Sequence, residues 1–76
     1  MSWNYRVMAH DYDGEIYLEI HEVYYNSKKV PDSYTFNSVG VGGENIKELE
    51  WVLQRMKEAL NKPILWAGEK FPQEYK

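Results

Sequence analysis

The chain has 76 residues, enough for one domain around one small core. Hydrophobic residues make up 43% and aromatics 16%, too apolar for a disordered chain, yet no apolar run approaches the ~20 residues of a membrane span. Nine Lys and Arg against twelve Asp and Glu give a net charge of −3, and the lack of cysteine excludes disulfides, thiolate nucleophiles and thiolate-bound zinc.

The basic residues are scattered, with Lys28-Lys29 the sole adjacent pair, so no electrostatic footprint for nucleic acid is expected. Met1-Ser2-Trp3-Asn4 leads directly into a strand-like stretch, without the charged start and apolar core of a signal peptide. The expectation is a cytoplasmic protein with no membrane association.

The first half reads as strands. Trp3, Tyr5, Val7 and Ala9 alternate with Asn4, Arg6, Met8 and His10, a period of two. Asp11-Tyr12-Asp13-Gly14 supplies turn chemistry, because Asp can bond its own backbone and Gly accepts a positive φ. Residues 15–25 form the strongest strand, with Ile16, Leu18 and Ile20 facing one way and Tyr17, Glu19, His21, Val23 and Tyr25 the other. Residues 26–32 read as a longer turn, and Pro31 belongs at a strand start or edge because it cannot donate to a ladder. A third strand is expected over residues 33–41. Its weaker alternation leaves open whether Tyr34 and Phe36 or Val39 and Val41 face the core.

Gly40, Gly42 and Gly43 then permit a change of direction. Asn45 is a good helix N-cap, and Glu48 three residues later makes a capping-box-like pair. Over residues 45–61 the apolar residues Ile46, Leu49, Leu53, Met56 and Leu60 step by three and four, predicting one buried stripe centred on Leu53. Pro63 ends the helix, and Ile64-Leu65-Trp66 is a candidate short extended segment. Residues 1–66 therefore read as a single domain and residues 67–76 as a polar tail, which Trp66, Phe71 and Tyr75 could fold back. The predicted architecture is α+β: a three-stranded antiparallel meander with one C-terminal helix on one face, β-β-β-α.

Trp51 lies on the wrong side of that helix, roughly 160° from the middle of the expected stripe. Either Lys47 and Arg55 or the tail cover its indole, or it anchors a protein partner. Tyr17, His21 and Tyr25 form a second unusually aromatic surface, on the sheet face the helix leaves free. Trp51, Arg55, Tyr17, His21 and Tyr25 are thus the candidate protein-binding residues.

Catalytic and ligand motifs are weak. His10, Asp11, Asp13 and Glu15 lack the ~12-residue calcium-loop pattern and read as a solvated acidic turn. For His21 a cross-strand hydrogen bond is a better account than general-base catalysis. Gly40-Val41-Gly42-Gly43 has neither GxGxxG nor GxxxxGK[ST], and Glu44 would repel phosphate. The serines have no nucleophile elbow around them. No side-chain group shows metal-ligand spacing, so no metal, cofactor or enzymatic activity is expected. The acidic excess does not form the single-sign stripe of a nucleic-acid mimic, because Lys47, Arg55 and Lys57 interrupt it on the helix.

At Asn4-Tyr5-Arg6-Val7, Ile20-His21-Glu22-Val23-Tyr24-Tyr25 and Lys62-Pro63-Ile64-Leu65, the chain resembles a group of short bacterial hypothetical proteins. Their shared pattern is NYRV, IHEVYY, a glycine before a capped helix, and KPxL. The resemblance covers residues 3–65; the group has no assigned activity, so it implies a compact bacterial domain and nothing about catalysis. The element order is also similar to HicB-type antitoxin domains, although their glycine-rich strand signature is missing here. These observations favour a non-catalytic protein-binding module that engages a partner or a second copy. The alternative is a small antitoxin-like inhibitor, of phage or defence origin, that blocks a nucleic-acid enzyme by protein contact.

Overall fold

The computed structural model describes residues 2–76. Two long strands, β1 (Ser2–Tyr12) and β2 (Glu15–Tyr25), form an antiparallel hairpin closed by Asp13-Gly14. Both turn residues have positive φ, 56° and 92°, as a two-residue hairpin turn twisted with its strands requires. The Asp11 carboxylate accepts the Gly14 N–H at 2.7 Å and closes the turn.

β3 (Pro31–Tyr34) pairs antiparallel with β2, with a register shift at Tyr24 and Tyr25. It is shorter than the expected 33–41 strand. Beyond Tyr34 the chain still follows β2, but through separate hydrogen bonds, Thr35 N–H to the Glu22 carbonyl and Val39 N–H to the Ile20 carbonyl. With Gly40, Gly42 and Gly43 close behind, a continuous ladder is not sustained. The unresolved facing of this stretch is thereby decided: Tyr34 and Val39 pack inward on opposite sides of the sheet, whereas Phe36 is 95% exposed.

Helix α1 (Ile46–Ala59) begins where the sequence places its cap: the Asn45 side chain accepts the Glu48 N–H at 2.9 Å, and Glu48 reaches back to the Glu44 N–H at 3.1 Å. Gly43 is needed here for space. A Cβ at Gly43 would sit 2.9 Å from the Glu48 Cβ and 3.0 Å from the Leu49 nitrogen.

After the helix, β4 (Leu65–Trp66) pairs parallel with β1, so the sheet has four strands in the order β3-β2-β1-β4 and is mixed. The expected three-stranded antiparallel meander is therefore incomplete: α1 carries the chain from one sheet edge to the other, and the extended segment after it becomes an edge strand.

β1 is buried on both faces, which places two small cores back to back. On the helix side Tyr5 and Val7 meet Met56 and Ala59, with Ile20, Val39, Val52 and Ile64 around them. On the other side Met8, Val23 and Leu65 are covered by Tyr25, Tyr34, Ala67 and Phe71. That second cover comes partly from the C-terminal segment. It turns back through a 3₁₀ turn (Gly68–Lys70), with the Tyr75 N–H bonded to the Ile64 carbonyl and the Trp66 N–H to the Gln73 carbonyl. The tail thus lies on the aromatic sheet face.

The helix stripe requires a correction. The buried positions are Met56 and Ala59, with Leu49 and Val52 half-buried, while Leu53 is 49% exposed, Ile46 70% and Leu60 67%. At about 100° per residue, the inward stripe is rotated about 60° from the one with Leu53 at its centre. Small residues decide this: Ala59 lets the helix approach β1 closely, which draws Val52 inward and swings Leu53 out. Likewise, of Ile16, Leu18 and Ile20 only Ile20 reaches the core, because the hairpin tip extends past the helix.

Candidate functional site

The hairpin register determines which polar side chains meet. Directly opposed residues of an antiparallel pair share a face. His10 opposes Tyr17, Met8 opposes Glu19 and Arg6 opposes His21, all on the face carrying the C-terminal segment. In the twisted hairpin the two imidazoles lean diagonally toward each other, with ring centroids 4.9 Å apart and Nε2 atoms 2.9 Å apart. The Glu19 carboxylate completes the cluster 3.4 Å from the His10 Nε2 and accepts the Tyr12 hydroxyl at 3.0 Å.

His21 is 1% exposed and firmly held. Its Nδ1 lies 2.9 Å from the Thr35 carbonyl oxygen and 3.2 Å from the Thr35 hydroxyl. A carbonyl can only accept, so His21 carries its hydrogen on Nδ1 and its Nε2 presents a lone pair. The hydrogen between the two Nε2 atoms therefore belongs to His10. Burial pushes the His21 pKa below the ordinary 6.5, against the opposing pull of the Thr35 carbonyl. For Glu19, partial burial acts to raise the pKa, but the Ser38 and Tyr12 hydroxyls and the two imidazoles outweigh it and hold the carboxyl below 4.5.

A cleft of about 570 Å³ opens beside His10, lined also by Asp11, Tyr34, Trp66 and Lys70. Further along the same face Arg6 is buried, donating to the Tyr25 hydroxyl at 2.7 Å and to the Pro63 carbonyl at 2.6 Å. Tyr25 in turn donates to the Asn4 side chain at 2.8 Å. Arg6 thereby ties the turn after α1 to both long strands.

The residues singled out from sequence are not brought into one site. His21 is buried under Tyr34, whereas Tyr25 is half-buried, bonded to Arg6 and Asn4, and borders a shallow cleft with Trp3 and Lys29. Tyr17 is exposed at the hairpin tip, 6.4 Å from the Tyr12 ring. Trp51 is half-exposed on α1, with the Arg55 guanidinium over its ring at 5.1 Å. Trp51 and Arg55 flank a cleft whose other wall is Trp3 and Tyr5, and the C-terminal segment lies elsewhere, against Tyr34 and Met8.

Two groupings were missed. His10, Glu19 and His21 offer ligand atoms within 4.8 Å of one another, which corrects the expectation that no side chains here have ligand spacing. The signal was in the turn: with Asp13-Gly14 as the two loop residues, Tyr12 opposes Glu15 and the whole register follows. The second grouping is the exposed row Ile46, Leu53 and Leu60, which sequence reasoning had assigned to the core. No family model, curated protein or solved structure matches the chain. No helix among the described residues is long and apolar enough to cross a membrane.

Proposed function

We propose that this chain is a non-catalytic protein-binding module that pairs with a second copy of itself through the outer flank of α1. The observation that carries this reading is the row Ile46, Leu53 and Leu60, spaced by seven residues and half to two-thirds exposed. Seven-residue spacing keeps the three side chains nearly in line over about 21 Å of helix, a ridge suited to another helix. Trp51, Arg55 and Glu58 lean toward Trp3 and Tyr5 on β1. The opposite flank, with the ridge, therefore turns toward β2, where Ile16 and Leu18 are also exposed. Exposed apolar residues concentrated on one side mark an interaction surface.

Charge complementarity favours a second copy as the occupant. If two helices cross antiparallel at Leu53, Ile46 of one meets Leu60 of the other. Glu50 then faces Lys57, once on each side of the two-fold axis. Neither Glu50 nor Lys57 has an ion-pair partner among the described residues of its own chain. Sedimentation equilibrium over a concentration series tests this. The native chain should show a monomer–dimer equilibrium, and Leu53→Glu should abolish it. Glu50→Lys and Lys57→Glu should each weaken pairing, and the double exchange should restore it. A native chain that stays monomeric at millimolar concentration refutes the self-association.

A further inference from the structure

We propose that His10, Glu19 and His21 bind a divalent first-row transition-metal ion, with zinc the best match. The site lies on the sheet face opposite α1, so it is independent of the pairing surface. Two imidazoles and one carboxylate are a donor set that suits zinc and its neighbours in the series. Calcium needs six to eight oxygens and magnesium a near-ideal octahedron of them, and only one carboxylate converges here.

Two of the three donor separations already approach those of a coordination shell, and the whole set lies within 4.8 Å. Donors about 2.1 Å from an ion at adjacent tetrahedral corners lie about 3.4 Å apart. The His10 and His21 Nε2 atoms are 2.9 Å apart, and the His10 Nε2 is 3.4 Å from the Glu19 carboxylate. The imidazoles need to part by only a few tenths of an ångström. What holds them closer is one hydrogen on the His10 Nε2. Moving that hydrogen to Nδ1 leaves the ring neutral and turns a second lone pair on the same point.

The surroundings are those of an oriented ligand set. A metal-bound histidine characteristically donates its other ring N–H to a carbonyl or carboxylate, and His21 does so to Thr35. Its ring is further fixed edge-on against Tyr34 at 5.5 Å, and Tyr34 is backed by Phe71 at 4.8 Å. His10 stacks on Tyr12 with an interplanar angle of 7°, and the Tyr12 hydroxyl orients Glu19. These contacts set lone-pair directions as well as side-chain positions. Access is open, because the side chains of His10 and Glu19 are 16% and 24% exposed and His10 borders the cleft above Trp66. Three protein donors leave a fourth position toward that cleft, available to water or to a donor atom of a small ligand.

The test uses the full chain, stripped with a chelator and titrated with zinc, cobalt(II) or magnesium chloride. Calorimetry should give one zinc per chain, and the melting temperature should rise and return on chelation. Nitrogen NMR of the imidazoles should show zinc shifting the Nε2 resonances of both His10 and His21. Cobalt(II) should give the intense visible absorption of a four-coordinate site, and magnesium should do nothing. His10→Gln and Glu19→Gln, both at partly exposed positions, should each weaken zinc binding by about tenfold or more. A purely structural role for the cluster would instead lower the melting point of these variants and leave zinc without effect on the native chain. Unmoved Nε2 resonances, zinc affinity unchanged in His10→Gln, or equal stabilisation by magnesium would each overturn the assignment.

Discussion

Truncating two residues on α1 separates the inward face from the outward one. Met56 is 6% exposed and packs among Tyr5, Val7 and Ala59, so Met56→Ala should cost ~2–5 kcal/mol through lost burial and the cavity it leaves. Leu53 keeps about half its surface in water. A fully buried leucine contributes ~1.5–3 kcal/mol, so Leu53→Ala in the monomer should cost about 1 kcal/mol. A domain of this size has about 4–11 kcal/mol in hand, so Leu53→Ala should fold throughout that range, and Met56→Ala should either unfold at a much lower urea concentration or, near the lower bound, lose its native fold outright. Urea unfolding followed by helix circular dichroism, at protein concentrations low enough to hold the monomer, gives both values. Repeating the Leu53→Ala measurement at high concentration should enlarge its deficit, because a partner that binds only folded chains adds stability by mass action. The Met56→Ala deficit should not change in that way. A Leu53→Ala cost equal to that of Met56→Ala in dilute solution would refute the placement of the helix.

Two further outcomes follow from the second core. Phe71 is half-buried against Tyr34, so Phe71→Ala should cost ~2 kcal/mol in urea unfolding and release the C-terminal segment in hydrogen exchange, and a loss below about 0.5 kcal/mol would mean that this segment is only loosely applied. In the chelator-treated chain, stability should be full above pH 6.5 and fall as the pH drops below it, because burial depresses the His21 pKa and the unfolded chain then takes up the extra proton. Thermal melts from pH 7.5 to 5 check that sign, and a melting point that rises with acid would contradict it.

Local chemistry made much of this fold legible. The Asp13-Gly14 turn, the alternation along Glu15–Tyr25 and the Asn45 cap each rest on interactions between residues close in sequence, and all three stand in the structure. Longer-range choices were not readable in the same way. Helical periodicity allowed two stripes that share Leu49 and Met56, one running through Leu53 and the other through Val52 and Ala59. Only the approach of α1 to Tyr5 and Val7 selects between them, and a hydrophobicity pattern favours the larger side chains over Ala59. β4 is two residues long and pairs with a strand more than fifty positions earlier, so it has no local signature beyond its apolar character. The histidine cluster lies between these cases. The two-residue turn fixes which face each member occupies, but the diagonal meeting of His10 and His21 depends on the curl of the hairpin.

The division of labour between the two sheet faces follows from the size of the chain. One fourteen-residue helix cannot cover both sides of a hairpin of two eleven-residue strands, and β1 is nonetheless buried on both. The opposite side is closed by Leu65, Ala67 and Phe71 together with Tyr25 and Tyr34. Aromatic and polar side chains do what a second helix would do elsewhere, and their polar atoms must then find partners within the layer. The terminal nitrogens of Arg6 meet the Tyr25 hydroxyl and the Pro63 carbonyl, although its buried Nε has no partner among the described residues, and His21 meets Thr35 and His10. A histidine pair and a carboxylate are thus drawn together on this face, with His21 buried and solvent still reaching Glu19. The helix face has the converse arrangement. Its core is small and apolar, built on Ala59, and the larger residues Ile46, Leu53 and Leu60 are left outside it. The same economy of chain therefore produces both features: a polar cluster where cover is improvised, and an apolar ridge where the helix is turned to sit close to the sheet.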